Sequence, residues 1–448
     1  MAVKRSDIVR LTAAQKLALG FALIILLGAF CLHLPLASRD RQPIAWLDAL
    51  FTATSATCVT GLVVFDTWTQ FSAFGQMVIL VLIQIGGLGF MTLAILGAMM
   101  LGRRIGLRER SYLAEAISAL HLGGVVKLAR RILIGTLLLE ISGAIVLALR
   151  FVPLFGIRQG IWFGVFHAVS AFCNAGFDLM GALSPYSSLT AFVHDPVVNL
   201  TVMFLIASGG IGFVVWNDLL QNRWRVRRYS LHTQLTLTTT ALLLALGMLL
   251  FFLLERNGVL AGMSGAQKWL AAAFSAVTPR TAGFNTVPTE SLGPAASLLT
   301  MLLMLIGAGA GSTAGGIKTT LFAVLVLAVV AHVRRCRDVN VFKRRLSAET
   351  VAFAFCAIAF YLMLAIGGGF LLMAIQGMPI KDALFEAFSA LGTVGLTTGI
   401  TRSLEPLSRL VIIFLMFAGR VGSLKVFMSF AERNHLNRLR KPLGQIVG

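Results

Sequence analysis

The sequence predicts an all-α polytopic membrane protein: four tandem helix–pore loop–helix repeats around a single pseudo-fourfold pore, with eight transmembrane helices. Three observations carry that expectation. Of 448 residues, 57% are hydrophobic and only 12% charged, and mean hydropathy is +0.86; a soluble globular chain is nearer half apolar and a quarter charged. Apolar runs near the bilayer-spanning length of about 20 residues recur from end to end. Between them, four short glycine-containing strips return at near-constant spacing, the mark of internal repetition.

In order along the chain, the spans fall at roughly 17–36, 74–101, 132–153, 197–220, 233–256, 296–331, 350–376 and 407–431. The first apolar run lacks a small-residue cleavage site and reads as a retained helix. Eight is an even number, so both termini lie on one side. Basic clusters at Lys4–Arg10, Arg103–Arg110 with Lys127–Arg131, Arg223–Arg228, Arg334–Arg345 and Arg433–Lys441 occupy the termini and every second connection. By the positive-inside rule that side is cytoplasmic, and the protein belongs in the cell membrane. The net charge of +20 is therefore a topology signal rather than a nucleic-acid footprint. Arg280 and the Arg39/Arg41 pair are the exceptions in the outer connections. Cys31, Cys58, Cys173, Cys336 and Cys356 are odd in number and scattered, which suits neither a disulfide framework nor a zinc site.

Each outer connection carries an apolar stretch too short to span: 45–56, 161–172, 268–279 and 380–391. Apolar segments of this length are often re-entrant. Each contains a Phe close to a Ser-Ala or Thr-Ala step and is followed by a strip: TCVTGL (57–62), CNAGFD (173–178), RTAGFN (280–285) and GTVGLT (392–397). Glycines 61, 176, 283 and 395 are 115, 107 and 112 residues apart. Four repeats follow, at 1–110, 111–228, 229–345 and 346–448.

Backbone at membrane depth can be non-helical only where protein buries it or where it lines water. Four equivalent strips meeting at one axis present a ring of carbonyl oxygens able to replace the hydration shell of a cation. The short helices before them aim their negative C-terminal ends at the same place. No carboxylate is needed, which suits a monovalent ion. The candidate ion-binding positions are Cys58, Val59, Thr60 and Gly61; Asn174, Ala175 and Gly176; Thr281, Ala282 and Gly283; and Thr393, Val394 and Gly395. Asn174 and Asn285 are candidates for side-chain support of the strips.

Residues 307–320, GAGAGSTAGGIKTT, look at first like a phosphate-cradling loop. Ile317 separates Gly316 from Lys318, and that breaks the contiguity of glycine and lysine such a loop requires. The run lies inside the sixth span, which at about 36 residues is too long for one straight crossing of about 20. It reads instead as a break in the helix that obstructs the path, a gate over 306–318 with Gly307, Gly309, Gly311, Ser312, Thr313, Gly315, Gly316 and Lys318 as its residues.

The strips TCVTGL, CNAGFD, TPRTAGFNT and GTVGLTTG, with SATCVTGLVV, LIQIGGLGFMT and IGAGAGSTAGGIKTT around them, resemble the KtrB/TrkH/HKT superfamily of potassium transporters over nearly the whole chain. The chain carries no extra helix pair ahead of the first repeat, so the resemblance is to the KtrB branch rather than to TrkH itself. Gly61 in place of Ser is similar to the potassium-preferring members. The resemblance implies a K+ pathway with K+ held at Gly61, Gly176, Gly283 and Gly395, transport that is often Na+-stimulated, and a homodimeric membrane part. It also implies a cytosolic KtrA-like RCK ring that binds ATP or ADP, and no organic cofactor in this chain. Three strips have only one glycine where TVGYG-type filters have two, so one dominant cation site and weaker discrimination against Na+ are expected.

Charged groups at membrane depth are costly and mark function or pairing. Arg420 lies in the last span, where no carboxylate offers itself. In the family a matching arginine sits below the filter as a positive barrier that contacts the gate loop; the alternative is an arginine that satisfies helix-end carbonyls. Glu140 is expected to bond a nearby Ser or an interface Arg, His167 to pack or hydrogen-bond, and Lys318 and Lys425 to snorkel. Gln84 and the GGLG at 86–89 suit close helix packing. A secondary Na+/K+ symporter with alternating access is the competing function. It calls for inverted repeats and intramembrane carboxylates, whereas these repeats are parallel and acidic residues in the spans are scarce. Nothing resembles an enzyme's nucleophile–base cluster.

Overall fold

A computed structural model describes residues 13–89, 106, 124–223 and 225–422. Helix α1 (Ala13–His33) is followed by the short α2 (Trp46–Thr57), a four-residue α3 (Thr67–Gln70) and α4 (Ala73–Leu88). Next come α5 (Val125–Phe155), α6 (Ile157–Phe172), α7 (Pro196–Gly210) and α8 (Phe213–Asn222). The third stretch holds α9 (Leu231–Glu255), α10 (Gly265–Val277), α11 (Pro294–Leu305) and α12 (Thr319–Val333). After a tight hairpin, β1 (Asn340–Val341) and β2 (Arg344–Arg345), come α13 (Ala348–Gln376), α14 (Ile380–Gly392) and α15 (Pro406–Val421), the last of the described helices.

Long helices α1, α5, α9 and α13 each pack on the short helix that follows, α2, α6, α10 and α14. Among the described residues these four long helices are long and apolar enough to cross a membrane, and the bent pair α7–α8 counts as a fifth when taken as one span. Their outer faces leave Leu23, Leu138, Leu149, Leu242, Met363 and Phe370 exposed. An apolar surface of that extent is stable in lipid and not in water. The interior is filled by side chains of the short helices, Phe51, Phe166, Phe172, Phe274 and Phe385, all fully or nearly fully buried.

The start signals are local. Pro196, Pro294 and Pro406 open α7, α11 and α15 at the first helical position, where the missing N–H costs nothing. Asp195 caps α7 by accepting from Val197 and Val198 N–H, and Ser264 with Gln267 forms a reciprocal capping box on α10.

Among the even-numbered spans the sixth is broken as expected, and the other three depart from a single straight helix. Span 74–101 is helical to Leu88, where Gly89 turns to φ +79°; its later residues lie outside the described set. Span 197–220 is bent by 96° between α7 and α8, because Gly212 takes φ +101°, out of reach of a continuing helix. Span 296–331 is two helices with irregular backbone from 306 to 318, as its excess length required. Span 407–431 turns at Gly422, φ +86°, and its remainder is also outside the described residues. Span 132–153 begins earlier, at Val125, so Lys127, Arg130 and Arg131 belong to its first turns and not to a connection; long basic side chains at a helix end reach the interface from there. The basic clusters Lys4–Arg10, Arg103–Arg110 and Arg433–Lys441, and Lys425, fall outside the described residues.

Candidate functional site

The four short helices span 46–57, 157–172, 265–277 and 380–392, within a few residues of the expected stretches, and each delivers its strip in the same backbone shape. Two residues before the glycine, Val59, Asn174, Thr281 and Thr393 sit in the left-handed region at φ +58°, +60°, +68° and +51°. The glycines follow at +91°, +69°, +82° and +93°. Left-handed backbone is strained by about 1–2 kcal/mol for a residue with a Cβ, so a packed surrounding must hold the first of each pair.

Those surroundings close on themselves. A methyl carbon on Gly61 would strike Ala175 O (2.5 Å), on Gly176 Ala282 O (2.8 Å), on Gly283 Val394 O (2.5 Å), and on Gly395 Thr60 O. Each glycine thus faces the carbonyl that precedes the next glycine, and the fourth returns to the first. Strips one to four form a ring of backbone in chain order, with no room for a side chain at any of the four positions. Cys58, Val59, Thr60, Ala175, Ala282 and Val394 are all buried in or beside it.

Hydroxyl groups brace the ring, a role the sequence marked only as a recurring Phe-Ser-Ala step. Ser55 Oγ accepts from Gly61 N–H and Ser389 Oγ from Gly395 N–H, both at 3.1 Å. In the second strip Ser170 Oγ donates to Phe177 O at 2.7 Å; in the third the donor is Thr278 Oγ1, to Phe284 O. Asn174 is buried with its amide 3.3 Å from Thr281 Oγ1, bridging two strips. Asn285 instead braces the outer segment, through its N–H to Ser188 Oγ (3.2 Å) and its amide to Val287 O (3.1 Å). His167 is tied at both nitrogens to backbone, Phe163 O and Leu179 N–H.

Residues 306–318 lie against the ring. A methyl on Gly315 would collide with the Thr393 hydroxyl of the fourth strip, and Thr313 Oγ1 donates to Phe172 O at the end of α6 (3.1 Å). The segment closes with a bridge between Ile306 and Ile317. It is pinned to the α7–α8 elbow: Gly309 N–H donates to Gly210 O (2.8 Å), Thr313 N–H to Gly209 O (3.3 Å) and Phe213 N–H to Gly311 O (2.8 Å). Ser312 Oγ returns to Gly309 O (2.7 Å), and Gly307 and Gly316 pack on each other's backbone. Lys318 does not reach outward as expected; Nζ folds back onto Ala314 O (2.8 Å) and Gly315 O (3.3 Å).

Arg420, at the end of α15, donates to Thr313 O in this segment and to Gly86 O and Gly87 O (3.3 Å) at the end of α4. One guanidinium therefore ties the segment to a helix from the first quarter of the chain. Glu140 meets neither the Ser nor the Arg anticipated for it: Gln84 Nε2 donates to it at 3.2 Å and Cys173 Sγ lies 3.9 Å away. The anchoring carbonyls of Gly86 and Gly87 were not legible in the sequence, since nothing local marks a long-range backbone acceptor.

Chemically, the site offers inward-packed backbone oxygens and a fixed positive charge on Arg420. Among the described residues no group of three His, Cys, Asp or Glu could hold a metal ion. A ring of carbonyls can take over the water shell of a dehydrated monovalent cation.

Comparison with known proteins bears on which ion that is. Residues 20–438 match the family profile TrkH, described as cation transport protein. The chain is 44% identical over 440 residues to the Ktr system potassium uptake protein B of Bacillus subtilis, covering 98% of this chain and 97% of that protein. It is 41% identical over 425 residues to the potassium/sodium uptake protein NtpJ of Enterococcus hirae, covering 94% and 93%. Its fold is similar to the crystal structure of the potassium transporter TrkH from Vibrio parahaemolyticus, with TM-score 0.74 at 20% identity, over 95% of this chain and 86% of that one.

Proposed function

The chain belongs to the TrkH family of cation transport proteins, and from that premise we propose that it is the ion-translocating membrane subunit of a Ktr-type potassium uptake system. The single observation that carries the proposal is the closed ring in which each strip glycine faces the carbonyl before the next glycine. Four helix–strip–helix repeats with eight spans surround one pore, and K+ passes through that ring. Thr60, Ala175, Ala282 and Val394 supply the carbonyls nearest the glycines, with one glycine per repeat in place of the longer filters of tetrameric channels. Segment 306–318 is the gate and Arg420 its latch. Na+ is a second, stimulating ion; the Enterococcus relative is itself named a potassium/sodium uptake protein.

In this reading both termini face the cytoplasm, where a KtrA-like ring binding ATP or ADP sits under a homodimer of the membrane subunit. The nucleotide-like appearance of 307–320 is then incidental: the regulator's nucleotide lies in the partner. Parallel strips of shared shape favour this pore over a symporter with alternating access, which relies on inverted repeats.

The test is ⁸⁶Rb⁺ uptake into liposomes by the purified chain carrying Gly61→Asp or Gly283→Asp. Both variants are expected to remain monodisperse and to lose uptake. Normal uptake by either would remove the ring from the ion path.

A further inference from the structure

The third strip departs from the other three, and Arg280 occupies the departure. From the Ser of the short helix's Ser-Ala step to the ring glycine, Ser55, Ser170 and Ser389 each stand six residues before Gly61, Gly176 and Gly395, whereas Ser275 stands eight before Gly283. The two additional residues form a turn after α10, in which Arg280 N–H donates to Val277 O (3.1 Å) and Ala282 N–H to Thr278 O (3.0 Å). That turn sends the Arg280 guanidinium into the protein, where the residue is only 7% exposed.

No carboxylate forms an ion pair with Arg280 among the described residues. Nη2 donates to Gly307 O and to Thr240 Oγ1, both at 3.3 Å, and the buried Nε has no acceptor. Gly307 is the second residue of the 306–318 segment. Arg280 also borders a cavity with Gly210, Ile211, Thr240 and Ala308, so the space beside it is walled by the same segment and the same elbow. A buried charge with an idle donor is expensive, and a role confined to packing would be met by an apolar side chain.

We propose that Arg280 is a second positioning residue for the 306–318 segment, holding the Gly307 carbonyl near its start while Arg420 holds Thr313 near its middle. The closed segment is then fixed at two corners by two guanidinium groups that come from different repeats. Arg280 keeps residue 307 in place when the residues beyond it move, and its idle Nε beside the cavity offers a displaced loop carbonyl somewhere to go. This inference rests on the reading of 306–318 as the gate.

The experiment measures ⁸⁶Rb⁺ uptake and K+/Na+ preference of the full chain in liposomes for Arg280→Gln, Arg280→Lys and Thr240→Val. Each is made in the intact chain and in one lacking 309–315. With the segment intact, Arg280→Gln is expected to raise initial uptake several-fold at unchanged ion preference. Arg280→Lys, which keeps charge and one donor, is expected to restore most of the control. Thr240→Val, which loosens the guanidinium without removing it, is expected to give a smaller rise, and it carries the test if Arg280→Gln does not fold. Without 309–315 none of the three is expected to change uptake further. An arginine that acts only by repelling cations would raise uptake equally in both backgrounds, and that result overturns the proposal. So does unchanged uptake by folded Arg280→Gln or, if that variant fails, by Thr240→Val. If deleting 309–315 itself leaves uptake unaltered, it is the gate reading that falls.

Discussion

In the strips, most bonds that fix the backbone come from the short helix immediately before; in the 306–318 segment many come from elsewhere in the chain. Ser55 and Ser389 reach six residues forward to brace their glycines. Thr313, by contrast, takes its partners from α6, the α7–α8 elbow and α15. A structure braced locally can be copied with its sequence, and so occurs four times. A structure braced from afar depends on the whole assembly and occurs once. The first kind suits a part that must stay rigid, the second a part whose partners can be changed.

Substitutions can break that contrast, and the largest effect is expected in the ring. Gly283→Asp places a side chain against Val394 O in a left-handed backbone, and uptake of ⁸⁶Rb⁺ is expected to fall to the liposome background. Deleting 309–315 is expected to do the opposite, raising uptake several-fold with the protein still folded; equal flux and equal regulation would make the segment a spectator. Arg420→Gln removes charge-assisted bonds worth about 1.5–3 kcal/mol each, with a rise in uptake approaching that of the deletion and no added effect when the two are combined. Smallest is the hydroxyl pair. Ser389→Ala leaves the buried Gly395 N–H without its acceptor, a cost of about 1–3 kcal/mol that should lower the melting temperature and weaken K+ preference. Ser312→Ala removes a bond within the segment and should leave ion preference untouched. If both alanine variants alter preference alike, the division between rigid ring and movable segment is wrong.

The same division explains what the sequence could reveal. Short helices and strips were visible because their determinants are contiguous: a Phe, a Ser and a glycine close together, repeated four times. The break in the sixth span was visible from length alone. The 96° bend at Gly212 was not, since a Gly-Gly-Ile-Gly run (209–212) reads equally well as close packing within one helix. Arg420's contact with the segment was anticipated through family resemblance, while its second foothold on Gly86 and Gly87 was not; acceptors of that kind are backbone atoms, which every residue possesses. Glu140 was misjudged for a related reason. Its partner Gln84 lies 56 residues away, and the neighbouring Ser142 instead donates to Leu139 O in its own helix.

The elbow at Gly212 gives the segment a mechanical handle. Helix α8 has ten residues, which at about 1.5 Å each makes an arm of about 15 Å. Its root lies where Gly210 and Phe213 share main-chain hydrogen bonds with Gly309 and Gly311. Arg131 holds Asn217 partway along that arm (2.7 Å), and Trp216 steadies its root by donating to Ser208 O (2.9 Å). A force on the far end of α8 would reach residues 309 and 311 through main-chain hydrogen bonds rather than through side-chain contacts.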